Sequence, residues 1–339
     1  MKRNILVAAG LSVFALANAG AQDLASSVCP AGNVGQPIPN SDRAAQDACQ
    51  QASDLYQFMS PQLGLALAGG NATLGQGSTL GGLGHFSIGL RANAFQGSLP
   101  DVSRFSQSPN GAQRNASLPT DNQWLGLPTA DAAIGIFGGI PLGVTNVGGI
   151  DALLSASYIP TINETDIKVT PESNLQIGYG ARVGLLSESI VVPGVSVTWL
   201  QRDLPTTTIL GLAGNNTLAV NNMKVKTTAW RVVASKSFLL FSFAAGAGKD
   251  KYESSADIRG TISSGISGLG SATVTVPNTK QNLERTNYFF DASLNLPLFK
   301  LVGEVGQSSG GKVATYNGFG GTRADRDQQY FSLGVRIGL

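Results

Sequence analysis

Asn174–Ser187, NLQIGYGARVGLLS, is the stretch on which the fold turns. Leu175, Ile177, Tyr179, Ala181, Val183 and Leu185 fall on one side of a two-residue period. Asn174, Gln176, Gly178, Gly180, Arg182 and Gly184 fall on the other. A strand points successive side chains to opposite faces, so the segment has one apolar face and one small-or-polar face. A helix would scatter the same residues around its circumference. The segment is longer than the usual globular strand of ~5–6 residues. It suits a tilted strand crossing a bilayer, which needs ~9–11 residues.

Working outward, the same unit recurs. Phe86, Ile88, Leu90, Ala92 and Ala94 alternate with polar residues over 84–96, as do Ala132, Ile134, Ile136 and Ile140 over 130–140, and Ala152, Leu154, Ala156 and Tyr158 over 147–159. Further strands are predicted over 195–203, 223–235, 238–249, 284–296, 298–307 and 328–339. Connections alternate long and short, as in outer-membrane barrels with short periplasmic turns and longer outer loops. Long outer loops are predicted at 97–129, 250–282 and 308–327, and both chain ends on the periplasmic side. An even count closes an antiparallel sheet without an edge. Short candidates at 63–67, 206–212 and 271–276 either raise the count to 12 or 14 or extend hairpins above the membrane. The expected fold is all-β: a closed antiparallel transmembrane β-barrel of about 10 strands (range 10–14) with a short N-terminal helix or plug segment.

Composition agrees. Charged residues make up 13% of the chain, and it holds 43 glycines. A typical soluble domain carries ~25% charge. The apolar faces contain no Lys, Arg, Asp or Glu, and Tyr158, Trp199, Trp230, Tyr288, Phe299 and Phe331 lie near strand ends, where an interfacial girdle sits. The rival all-β reading, a soluble sandwich, calls for shorter strands with turns every ~8–12 residues.

The first 21 residues have the layout of a bacterial secretory signal: Lys2 and Arg3, an apolar run from Ile5 to Ala17, and small-x-small sites ending at Ala21. Its removal takes away two basic residues, so the chain's 23 Lys and Arg fall to match its 21 acids. The resulting neutrality gives no basic face for nucleic acid. Cys29 and Cys49, an even pair in an exported chain, are expected to form a disulfide.

Residues 22–83 stand apart from the strands. SDRAAQDACQQASDLYQFM carries Ala44, Ala48, Ala52, Leu55 and Met59 as a narrow apolar stripe, capped by Asn40 or Ser41 and ended by Pro61. Leu63–Leu67 reads as a short strand. The segment either plugs the lumen or sits at the periplasmic mouth, and the barrel proper is expected over 84–339.

Two resemblances bear on function. The last strand, QYFSLGVRIGL, resembles the C-terminal assembly signal of outer-membrane barrels, with Leu339 where Phe or Trp is usual. That implies outer-membrane lipids and the barrel-assembly machinery as partners. LAGGNATLG, with Asn71, resembles the plug motif of the long-chain fatty-acid transporter family, without its Pro and with ten strands against that family's fourteen. This implies uptake of hydrophobic compounds through a plugged barrel.

His85 and Ser87 share a strand face and are similar to the His-x-Ser pair of outer-membrane lipid A deacylases. Ile88 stands where those enzymes have Asn, and no Glu partner is evident. A hydrolase also needs an orienting group and an oxyanion donor. No zinc-type ligand cluster and no phosphate-loop pattern exists, so no cofactor is expected. Arg91, Asn93, Gln176, Arg182, Arg202, Asp291, Asn295, Lys300, Glu304 and Arg336 are the expected lumen-lining residues, and Gly178, Gly180 and Gly184 mark room on the inner face. The leading functional expectation is passage or uptake of small molecules, hydrophobic ones included. The alternatives are a closed structural or surface-interaction barrel and, third, a lipid hydrolase on His85 and Ser87.

Overall fold

The computed structural model describes Cys29 and residues 40–112, 117–214, 216–262 and 272–338. The signal-like segment lies outside the described residues. Helix α1, Asn40–Ala68, precedes ten barrel strands: β1 Phe86–Pro100, β2 Thr120–Phe137, β3 Ile150–Tyr158, β4 Leu175–Leu186, β5 Gly194–Asp203, β6 Asn216–Ser237, β7 Phe241–Ile262, β8 Ala272–Asn295, β9 Lys300–Ser309 and β10 Gln328–Gly338. Each pairs antiparallel with its sequence neighbour, and β1 pairs with β10 to close the ring, Leu90 opposite Val335. The opening stretch is β4, held between β3 (Leu153 opposite Gly180) and β5 (Thr198 opposite Arg182).

The alternation maps onto the wall as the two-residue period requires. Ile88, Leu90, Ile134, Leu154, Ile177, Val232, Phe290, Leu333 and Ile337 are exposed on the outside, while Ser87, Arg91, Asp151, Arg182, Arg231, Asp291 and Arg336 are buried inside. A soluble sandwich would bury the first set. An apolar exterior around a polar interior is stable only where hydrocarbon is the surrounding solvent. Tyr179, Trp199 and Trp230 form an outward aromatic row across β4, β5 and β6, with ring centroids 5.8 and 6.4 Å apart.

On the long-loop side the phase of the pattern reverses. There β6 turns Leu218, Val220, Met223 and Val225 inward, and Lys224 and Lys226 point out. β6, β7 and β8, at 22 to 24 residues, rise well past the girdle and form a cup with an ordinary buried apolar core. The outer loop expected over 250–282 is therefore mostly strand. The candidate near 271–276 is the start of β8. That near 206–212 is a strand, Thr207–Ala213, paired along the upper part of β6. Both extend hairpins above the membrane rather than adding to the ring.

Two sequence expectations about α1 are corrected. Pro61 does not end the helix, and Leu63–Leu67 is helical, not a strand. A proline inside a helix removes the N–H that would bond the carbonyl four residues back. Here that carbonyl belongs to Gln57, and it accepts Gln281 Nε2 from β8 at 3.1 Å. The wall thus supplies the missing donor, and the Leu/Ala-rich continuation keeps good helix propensity. The helix stops at Gly69, whose left-handed φ of +47° lets its N–H reach the Leu65 carbonyl at 3.2 Å.

The narrow stripe of α1 suggests one buried face. The barrel surrounds the helix, so Asp47, Gln50, Gln51 and Asp54 are buried as well as Ala48, Ala52 and Tyr56. Cys29 and Cys49 form the expected disulfide, with Cα atoms 5.9 Å apart, and Cys49 packs on Gly260 of β7 at the long-loop rim. A helix of this length spans about 43 Å. It runs down from that rim, and residues 69–85 continue to the short-turn rim, where β1 starts and Gly338 lies opposite Ser87. The described chain therefore begins and ends at opposite rims. The strand pattern alone puts both ends on the periplasmic side, and the threading of the lumen is what separates them.

Candidate functional site

The site is the lumen and the segment that fills it. All ten expected lumen residues lie on the inward face. Arg91, Asn93, Arg182, Arg202, Asp291, Glu304 and Arg336 are buried, whereas Gln176, Asn295 and Lys300 are half-buried. Asn295 is the last residue of β8, where its Nδ2 donates to Ser242 Oγ at 2.9 Å.

Most of the buried charges bond the main chain of the plug. At the end of α1, Arg202 Nη1 donates to the carbonyls of Leu67 and Ala68 at 3.2 and 3.0 Å. Arg231 Nη2 reaches Gly69 O at 3.3 Å, and Arg91 Nη1 reaches Asn71 O at 2.7 Å. A helix C-terminus leaves carbonyls unbonded and carries partial negative charge, so guanidinium groups are the fitting partners. Carboxylates take the N–H groups beyond it. Glu304 accepts Asn71 N at 2.7 Å, Asp291 accepts Asn71 Nδ2 at 2.7 Å and Gly75 N at 2.9 Å, and Asp151 accepts Leu80 N at 3.2 Å. Arg336 Nη1 closes the series on Leu74 O at 2.9 Å.

The charges also pair among themselves. Asp131 bridges Arg91 and Arg202, at 2.9 Å to each. Asp151 holds Arg182 at 2.8 Å, and Asp250 holds Arg231. Asp131, Asp151 and Arg231 were missed in the sequence, although each sits between outward apolar residues on its strand and carried the same signal as Arg91; Asp250 was missed because its outward neighbours are Lys249 and Lys251, which hide the alternation.

The inner glycines of β4 do different things. A side chain at Gly184 would meet Thr79 of the plug, with its Cβ 3.5 Å from the Thr79 Cβ. One at Gly178 would meet Arg202 and Ser155. The space at Gly184 admits the plug, and that at Gly178 admits an arginine of the wall. Above the coil, Leu65, Ala66, Phe95, Val233, Phe289 and Tyr330 pack as a small apolar layer. Higher still, Phe58 stacks on Phe319 at 4.2 Å, and Asp54 accepts the backbone N–H groups of Tyr316 and Asn317, each at 2.9 Å. Burial in this cup pushes the Asp54 carboxyl up to about 6, against those hydrogen bonds, which act in the lowering direction.

His85 and Ser87 are not brought together. His85 is exposed just before β1, Ser87 is 3% exposed inside the wall, and no hydrogen bond joins them among the described residues. No group of metal-ligating side chains occurs among the described residues.

These features define an outer-membrane-type β-barrel whose lumen is occupied by its own N-terminal segment. No family model matches the chain, and no curated protein matches it, so the fatty-acid-transporter resemblance finds no counterpart there. Among solved structures the chain is similar to the toluene transporter TodX of Pseudomonas putida, at 11% identity over 80% of this chain and 96% of that one, with a TM-score of 0.31. It is similar to the toluene transporter TbuX of Ralstonia pickettii, at 12% identity over 80% and 96%, TM-score 0.30. A third is Ail, the attachment invasion locus protein of Yersinia pestis, at 11% identity over 76% and 99%, TM-score 0.19.

Proposed function

We propose that this chain is a bacterial outer-membrane barrel that passes small molecules when the coil of residues 69–80 leaves its seat on the wall, and is closed when the coil is in place. One observation carries this reading. A small closed barrel can fill its interior with the wall's own side chains. Here the inward positions around the coil include Ser155, Ser157, Ser196, Ser293 and Gly184, and a separate stretch of chain occupies the space they leave. With the coil displaced, the lining would be hydroxyls and charges of both signs, which favours polar permeants over the hydrophobic ones that the transporter resemblance implied.

The Thr79–Gly184 contact gives the test. The 3.5 Å Cβ separation suits an engineered disulfide in a Thr79→Cys, Gly184→Cys double variant. Uptake of a small sugar into liposomes carrying the native chain should stop in the oxidised variant and return on reduction. The native chain under the same reductant controls for loss of Cys29–Cys49. Equal uptake with the lock closed and open sinks the proposal.

The second reading, a closed barrel that displays its outer cup, draws on the number of charged bonds that hold the plug. It predicts no uptake in any variant. Neither reading gives His85 or Ser87 a catalytic part, and Ser87→Ala should leave lipid A acylation unchanged.

A further inference from the structure

One pair of lumen cations is only partly matched by the plug. Lys300 on β9 and Arg336 on β10 are direct cross-strand partners on the inward face near the short-turn rim. Like charges placed opposite each other repel and destabilise the pairing. Elsewhere in the lumen a carboxylate or a plug carbonyl offsets such a cost; here the offset is partial. Arg336 is 6% exposed and gives Nη1 to Leu74 O, while its Nε and Nη2 make no hydrogen bond among the described residues. Lys300 has no hydrogen bond and no ion pair among them.

The nearby carboxylates bond other groups and form no ion pair with either cation among the described residues, although Asp291 Oδ1 is left without a hydrogen-bond partner. Asp291 holds Asn71 and Gly75, and Glu188 accepts the Ser237 N–H and the Ser235 hydroxyl. Arg182, also on this side of the lumen, is ion-paired with Asp151. Both unmatched cations line one cavity of about 320 Å3 between plug and wall, with Gln76, Leu80, Ser87 and Phe299 among the other lining residues. That volume falls in the range of small-molecule sites.

We propose that this vestibule is a binding site for a phosphate group. The Nε and Nη2 edge of Arg336 presents two parallel donors of the kind that grip an oxyanion bidentately, and Lys300 adds a point charge beside it. Free phosphate carries between one and two negative charges near neutral pH and a phosphodiester headgroup carries one, so either offsets the repulsion between the two cations. Two sources supply such a group at this rim: free phosphate in the aqueous phase, and the headgroup of an anionic phospholipid, since Phe86, Leu298 and Phe299 carry the cavity edge to the lipid-facing surface. The site belongs to the seated coil, which supplies Gln76 and Leu80 to its lining, and does not depend on the coil ever leaving.

The experiment uses the full chain in non-ionic detergent. Inorganic phosphate is titrated calorimetrically at constant ionic strength, with chloride as the counter-titrant. A parallel arm reconstitutes the chain with phosphatidylcholine alone or mixed with phosphatidylglycerol, and reads retained lipid by native mass spectrometry. Lys300→Gln leaves the bond from Arg336 to the plug in place, and a heat-modifiable gel shift shows that the variant is folded. Saturable phosphate binding, weakened about tenfold or more in Lys300→Gln and kept in Lys300→Arg, supports the proposal with free phosphate as the source. Retention of phosphatidylglycerol that falls in Lys300→Gln and not in Lys300→Arg supports it with lipid as the source. Equal binding by the native chain and Lys300→Gln in both arms overturns it. A response that chloride reproduces, or none in either arm, does the same.

Discussion

Replacing Arg202 with methionine keeps the length of the side chain and removes one guanidinium from the centre of the barrel. The native group makes four bonds: to Leu67 O, Ala68 O, Ser155 Oγ and Asp131 Oδ1. Asp131 keeps Arg91 at 2.9 Å, so its charge is not orphaned. The two helix carbonyls are. A buried acceptor left without a donor costs about 1–3 kcal/mol, so the pair costs about 2–6 kcal/mol. Dispersion contacts of the new apolar side chain return part of this, and we expect a net loss of about 2–5 kcal/mol. The assay is urea unfolding of refolded protein in detergent micelles, followed by tryptophan fluorescence. A second readout is maleimide labelling of a cysteine placed at Ala72, which is 8% exposed in the plug. Arg202→Met should lower stability by that amount and speed labelling. A change below about 1 kcal/mol with unaltered labelling would refute the claim that the wall arginines hold the plug.

Other outcomes follow from the same geometry. Gln281→Leu should cost about 1–3 kcal/mol in the native chain and much less beside Pro61→Ala, because the alanine N–H then bonds Gln57 O; a double-mutant cycle with no coupling would contradict this. Removing both cysteines should lower stability by roughly 3 kcal/mol, read as the same shift that reductant produces in the native chain. Asp54 gives a pH dependence whose sign can be worked out. Its folded-state value, about 6, lies above the ordinary 3.8, so its contribution to stability is fully present below about pH 4 and is lost as pH rises through 6. Asp54→Asn should flatten the stability profile over that interval, and an unchanged profile would place the titration elsewhere.

The barrel was legible because hydrocarbon, like a protein core, selects a single apolar face per strand; β4 shows this over its whole length. The cup was not legible. Along β6 the apolar face moves from outside to inside between Trp230 and Val225, and a pattern that inverts mid-strand reads as the end of one element and a loop. α1 was half legible, since Pro61 is a stop in any helix that lacks a neighbour like Gln281 to bond the freed carbonyl. The lumen residues were visible as charges on the inner phase, yet their purpose was not. Nothing in a strand's own sequence shows that Glu304 and Asp291 will bond the backbone of a segment more than two hundred residues away.

If the plug is what closes the barrel, removing it should open a conducting path. Single-channel recording in a planar bilayer, comparing the native chain with a chain lacking residues 22–80, tests that directly. The deletion must extend to residue 80, because the coil fills the lumen below α1. We expect a near-silent native barrel and steady, salt-dependent current from the deleted one. A folded deletion barrel that carries no current, or a native barrel that conducts as well as the deletion, would contradict closure by the plug.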